Sequence, residues 1–112
     1  MSFYHSKEKI SQLAETESSN DEKKKTYVFW NEGHTLGNAL KLVMANDPKI
    51  NFCGYTVPHP SESKMHFRIQ MNEGRAVDAL RKGLEDVVKM CDHMLTTFDN
   101  EMESYTNNSS QR

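Results

Sequence analysis

The sequence predicts an α+β domain: a small antiparallel sheet with two helices, the C-terminal one long. Three stretches carry that expectation. "TYVFWN" (26–31) is a short run rich in β-branched and aromatic residues, which suits a strand. In "KMHFRIQM" (64–71), Met65, Phe67, Ile69 and Met71 alternate strictly with Lys64, His66, Arg68 and Gln70, the period of a strand buried on one face. From Arg75 to about Ser104 the apolar period becomes helical and stays so.

The first 25 residues mix charge, Ser and Gln with few apolar groups, too little burial to offset the entropy of ordering. They are expected to form a disordered N-terminal arm, followed by a folded domain over 26–104 and a disordered tail over 105–112. After the first strand, Leu36, Ala39, Leu40, Val43 and Met44 fall at helical spacing, with Thr35 placed as N-cap and Pro48 just past the end. "NFCGYTV" (51–57) reads as a second strand, halted by "PHPSES". His59, between two prolines, is expected to brace that connection. The strand at 64–71 follows, and then the long helix. There Val77, Leu80, Leu84, Val87, Val88, Cys91, Met94, Leu95, Phe98 and Met102 share one stripe. Asp78/Lys82 and Glu85/Lys89 lie on the opposite side in the favoured acid-before-base order.

A helix of thirty residues is about 45 Å long, whereas a three-stranded sheet is only about 20 Å across. The sheet therefore covers the first half of the helix and leaves the second bare. Each large apolar side chain left in water forgoes about 1.5–3 kcal/mol, so the stripe from Cys91 onward implies a covering partner. Small residues at Ala76, Ala79 and Gly83 suggest close approach by another backbone, since glycine costs a helix about 1 kcal/mol relative to alanine. Gly37 in the first helix and Gly54 in a strand raise the same question.

At 112 residues there is room for one domain. Fourteen basic against sixteen acidic side chains, net −2, give no electrostatic reason to bind DNA directly. No apolar run approaches the ~20 residues that cross a bilayer, and no signal-peptide core is present at the N-terminus; a reducing compartment is expected, with Cys53 and Cys91 as small buried apolar groups. Cys53 with His59, or Cys91 with His93, lacks the paired spacing of a zinc site. No phosphate loop, serine elbow or carboxylate pair appears, so no enzyme of its own, metal or cofactor is expected. A rival reading is an RNA-binding sheet with Tyr27, Phe29, Tyr55 and Phe67 as stacking residues, but the aromatic signature of the RNA-recognition module is missing.

"GHTLGNAL" (33–40) followed by Lys41 resembles the signature that opens the first helix of the α-like subunits of cellular RNA polymerases. "FCGYTVPHPSESKMHFRIQ" (52–70) and "AVDALRKGLEDVVKMCD" (76–92) are similar to the small α-like form shared by eukaryotic polymerases I and III. Cys53, Thr56, Ser61 and Glu62 favour that form over the polymerase II counterpart, which is the alternative. The chain departs from the eukaryotic pattern at Gly33, where those subunits carry an acidic residue and bacterial α a glycine. The resemblance implies a two-layer dimerisation fold that pairs with a larger α-like subunit, and a heterodimer that scaffolds the two large catalytic subunits in the nucleus and nucleolus. It implies a partner interface at Leu36, Gly37, Leu40, Val43, Leu84, Val87, Cys91, Met94 and Phe98. His34, Thr35, Asn38 and Lys41 are implied either to face a large subunit or to brace the helix start.

Overall fold

The computed structural model describes residues 9–12 and 21–110. In chain order the elements are β1 (Ile10–Gln12), β2 (Lys24–Trp30), α1 (His34–Met44), β3 (Ile50–Thr56), β4 (Lys64–Met71) and α2 (Ala76–Ser110). The sheet order is β1-β2-β4-β3, with every neighbouring pair antiparallel. The α+β expectation holds, including the long C-terminal helix.

The alternation in β4 fixes which face is buried. Met65, Phe67, Ile69 and Met71 are buried, and the register sets Phe29 opposite Met65, Tyr27 opposite Phe67 and Cys53 opposite Ile69. On that face lie Leu40 and Met44 of α1 and Ala76, Ala79 and Leu80 of α2, giving one core between the sheet and both helices. Tyr27, Phe29 and Phe67 are thus core residues and Tyr55 packs against them, so the stacking platform of an RNA-binding sheet does not exist at those four positions.

Several boundaries differ from the sequence reading, each for a backbone reason. Within the expected arm, Ile10–Gln12 forms a strand on β2, and β2 itself begins at Lys24. The Lys23 carbonyl accepts from the Met71 amide (2.8 Å) and the Glu22 carbonyl from the Ala76 amide (2.7 Å). Polar composition describes side chains, whereas a ladder is built from backbone groups. The remainder of the arm lies outside the described residues. β2 ends at Trp30 because Asn31 takes a left-handed φ of 62°, a conformation asparagine tolerates.

Thr35 is not the cap of α1. The helix starts at His34, two residues earlier than a Thr35 cap would set it, Gly33 occupies the cap position without a side-chain bond, and Gly33 O accepts from the Gly37 amide (2.9 Å). Helix α2 continues past Ser104 to Ser110, since a nucleated helix adds one bond per residue until something stops it, and no Gly or Pro intervenes. On the solvent side Lys82 pairs with Asp86 (2.9 Å), not Asp78; Asp86 has the more sheltered side chain, and its carboxylate raises the Lys82 pKa. His59 does brace its connection, Nδ1 accepting from the Ser61 amide (3.2 Å) and lying 2.6 Å from Ser61 Oγ.

Candidate functional site

The site is a surface, and it begins where the sheet stops supporting α2. Ala76, Ala79, Leu80 and Gly83 are buried against the sheet and α1, and Leu84 and Val87 are half-buried beside them. Beyond Met90 every described position of α2 is exposed. The apolar stripe does not stop there. Met94, Leu95, Phe98, Met102 and Tyr105 continue it with exposures from 46% at Met102 to 68% at Tyr105. A helix of 35 residues is about 52 Å long, so its distal half projects beyond the sheet.

The sequence-predicted interface residues fall into three groups. Leu36 and Val43 on α1, and Leu84 and Val87 on α2, are partly buried and packed against the core. Each is packed against the core on one side and partly open on the other. Cys91, Met94 and Phe98 are exposed on the projecting half, so Cys91 is not the buried thiol expected, while Cys53 is. Burial pushes the Cys53 thiol pKa up, partly opposed by Lys41.

Gly37 and Leu40 belong to neither surface and are corrections. Leu40 is fully enclosed. A β-carbon on Gly37 would lie 2.6 Å from Tyr55 Cδ2 and 2.8 Å from Met65 Sδ, so the close approach is of α1 onto its own sheet. At Gly83 a β-carbon would lie 2.7 Å from Met44 Cγ and 3.0 Å from Leu40 Cδ1. That approach is by side chains of α1, not by a foreign backbone.

His34 sits 2.9 Å from the Tyr55 hydroxyl through Nδ1, with the rings edge to face at 5.5 Å. This ties the first residue of α1 to β3. Thr35, Asn38 and Lys41 are exposed on the outer side of α1. Sequence reasoning missed Leu42, which is 66% exposed; its only signal is a large aliphatic residue off the buried stripe. It also missed Tyr105, placed in a tail by composition although it keeps the helical spacing from Phe98 and Met102.

Among the described residues no helix is long and apolar enough to cross a membrane, and no three or more His, Cys, Asp or Glu side chains converge as a metal site. What the surface offers is a continuous strip of apolar area on one helix, which is the chemistry of protein docking.

Residues 24–97 match the family model described as the RNA polymerase Rpb3/Rpb11 dimerisation domain. The chain is 53% identical over 96 residues to the DNA-directed RNA polymerases I and III subunit RPAC2 of Drosophila melanogaster, covering 86% of this chain and 90% of that protein. It is 42% identical over 99 residues to the subunit of the same name from Saccharomyces cerevisiae, covering 88% and 69%. Among solved structures, the fold is similar to the crystal structure of DNA-directed RNA polymerase subunit L from Thermoplasma acidophilum, with a TM-score of 0.68 at 16% identity over 88% of this chain and 92% of that one. On the family model and these identities together, the chain belongs to the RNA polymerase Rpb3/Rpb11 dimerisation domain family.

Proposed function

We propose that this chain is a non-catalytic core subunit of DNA-directed RNA polymerases I and III. It pairs with a larger α-like subunit, and the heterodimer scaffolds the two large catalytic subunits. It then acts in the nucleus and nucleolus, in the transcription of rRNA, 5S rRNA and tRNA genes. Similarity to the fly and yeast polymerase I and III subunits supports the polymerase assignment. The observation that carries the pairing is the uncovered stripe of Met94, Leu95, Phe98 and Met102, continuous with the buried face of α2.

Covering four such side chains is worth several kcal/mol at about 25 cal/mol per Å² of apolar surface, enough to offset much of the cost of association. Leu36, Val43, Leu84 and Val87 form the inner edge of that interface and Cys91, Met94 and Phe98 its outer part. Gly37 and Leu40 act indirectly, by letting α1 seat on its own sheet. Thr35, Asn38 and Lys41 form a polar strip available to a large subunit, and His34 braces the helix beneath it.

Expressed alone, the chain is expected to aggregate or remain only partly folded. Co-expressed with the larger α-like subunit, it is expected to give a soluble 1:1 complex by size-exclusion chromatography with light scattering. A monodisperse monomer that ignores that subunit would refute the pairing.

A further inference from the structure

The distal half of α2 has charged borders as well as an apolar centre. Asp92 stands three residues before Leu95, and Asp99 four residues after Leu95 and three before Met102, so helical spacing sets both carboxylates along one border of the stripe. Glu101, three residues after Phe98 and seven after Met94, lies along the other border. All three are exposed, and none belongs to an ion pair among the described residues.

The two halves of the helix differ in this respect. Up to Met90, Asp78, Glu85 and Asp86 are balanced by Arg81, Lys82 and Lys89. Beyond Met90 the helix is acidic and has no Lys or Arg. That acidity works against the helix that bears it. Asp99 and Glu103 form a like-charge i,i+4 pair, which destabilises a helix, and the last turn lacks the basic residue that a helix C-terminus favours. Nothing within the described chain offsets the repulsion, so the offset has to come from whatever covers the stripe.

We propose that the distal half of α2 selects its covering surface by charge: the larger α-like subunit lays on it an apolar strip bordered by lysine or arginine, opposite Asp92 and Asp99 on one side and Glu101 on the other. Apolar contact supplies attraction without direction, whereas opposite charges along its borders fix the register and like charges penalise a wrong partner. A second copy of this chain fits less well, because it would bring its own acidic borders against these. Nucleic acid fits less well for the same reason, since its phosphates would face carboxylates. The inference rests on the proposed function and adds to it the chemistry that the partner's surface must have.

The test uses the full chain, refolded from denaturant together with the larger α-like subunit at low and at high salt. One variant reverses both borders with Asp92→Lys, Asp99→Lys and Glu101→Lys. A second, with Asp92→Asn, Asp99→Asn and Glu101→Gln, removes the charges and keeps the shapes. At low salt the yield of 1:1 complex should fall in the order unchanged, neutral, reversed, with the reversed chain at least about tenfold below the unchanged one. At about 1 M salt, where charges are screened beyond ~3 Å, the gap should narrow. A folding defect would persist at high salt, so a deficit that salt leaves unchanged would overturn the proposal. Equal yields from the three chains, a better yield from the reversed chain, or an unchanged chain that pairs with itself in preference to the α-like subunit would overturn it as well. If the unchanged chain forms no 1:1 complex at either salt, the functional reading itself fails and the proposal falls with it; a complex that forms but ignores the charges removes the proposal alone.

Discussion

At the scale of single residues, two glycines divide by what they press against. The atoms nearest a β-carbon on Gly37 include Tyr55 Cγ at 2.7 Å, the root of a ring that cannot swing aside without leaving the core and its His34 contact. The atoms nearest a β-carbon on Gly83 are Met44 Cγ and Sδ and a Leu40 methyl, parts of aliphatic side chains that yield more readily than a ring. Gly37→Ala is therefore expected to destabilise the heterodimer by roughly 1–3 kcal/mol through overpacking. Gly83→Ala is expected to cost less, because the gain in helix propensity of about 1 kcal/mol offsets part of the strain. Thermal melting of the two purified complexes checks the order, and an equal or inverted order would refute it. The two cysteines divide similarly. Cys53 is buried with its thiol pKa raised, and Cys91 is exposed. Since the thiolate is the reactive species, iodoacetamide should alkylate Cys91 faster than Cys53 in the soluble fraction of the chain alone, and the larger α-like subunit should protect Cys91. Labelling at Cys91 that the partner leaves unchanged would place that side chain outside the interface.

At the scale of elements, β4 and α2 were legible because their periods are long and unbroken, and the edges were not. Eight strictly alternating residues at 64–71 define a strand to the residue. The stretch at 10–12 contains a single apolar residue, Ile10, and joins the sheet by backbone pairing to β2, which leaves no periodic trace. The last turns of α2 were hidden by Asn107, Asn108 and Ser109, poor helix formers that the helix nonetheless includes. The surface was legible only in its outline. The family resemblance implies one interface that groups Gly37 and Leu40 with Phe98, and spacing, which assigns a residue to a helix face, does not tell a face turned to its own sheet from one turned to a second chain. The structure separates them, and the separation is testable on α2. Phe98→Asp would set an unpaired charge in the proposed joint, a change that typically costs about 3 kcal/mol or more, or at least about a hundredfold in affinity. Pull-down of the larger α-like subunit should fall accordingly, with circular dichroism of the chain little changed because the site is 62% exposed without the partner. Undiminished pull-down would remove the distal stripe from the interface.

At the scale of the whole molecule, stability should be graded along α2. The first half is bound into a core with Phe29, Phe67, Leu40 and Ile69, all fully buried. Every described position of the second half is exposed, and the segment is rich in Thr, Asn and Ser, so as a free helix it is marginal. It contains Asp92, Asp99, Glu101 and Glu103 and, between Lys89 and the end of the helix, no Lys or Arg, so no i,i+4 ion pair reinforces it. A partner that covers Met94, Phe98 and Met102 must supply what the local sequence does not. Amide hydrogen exchange on the soluble fraction of the chain alone should accordingly show strong protection in β4 and near Leu80, falling to little beyond about Met94. In the heterodimer the distal amides should gain at least about a hundredfold in protection, and those of β4 should gain less. A distal half already protected in the chain alone would mean that it is stabilised without a neighbour, and the proposed role of the stripe would fail with that result.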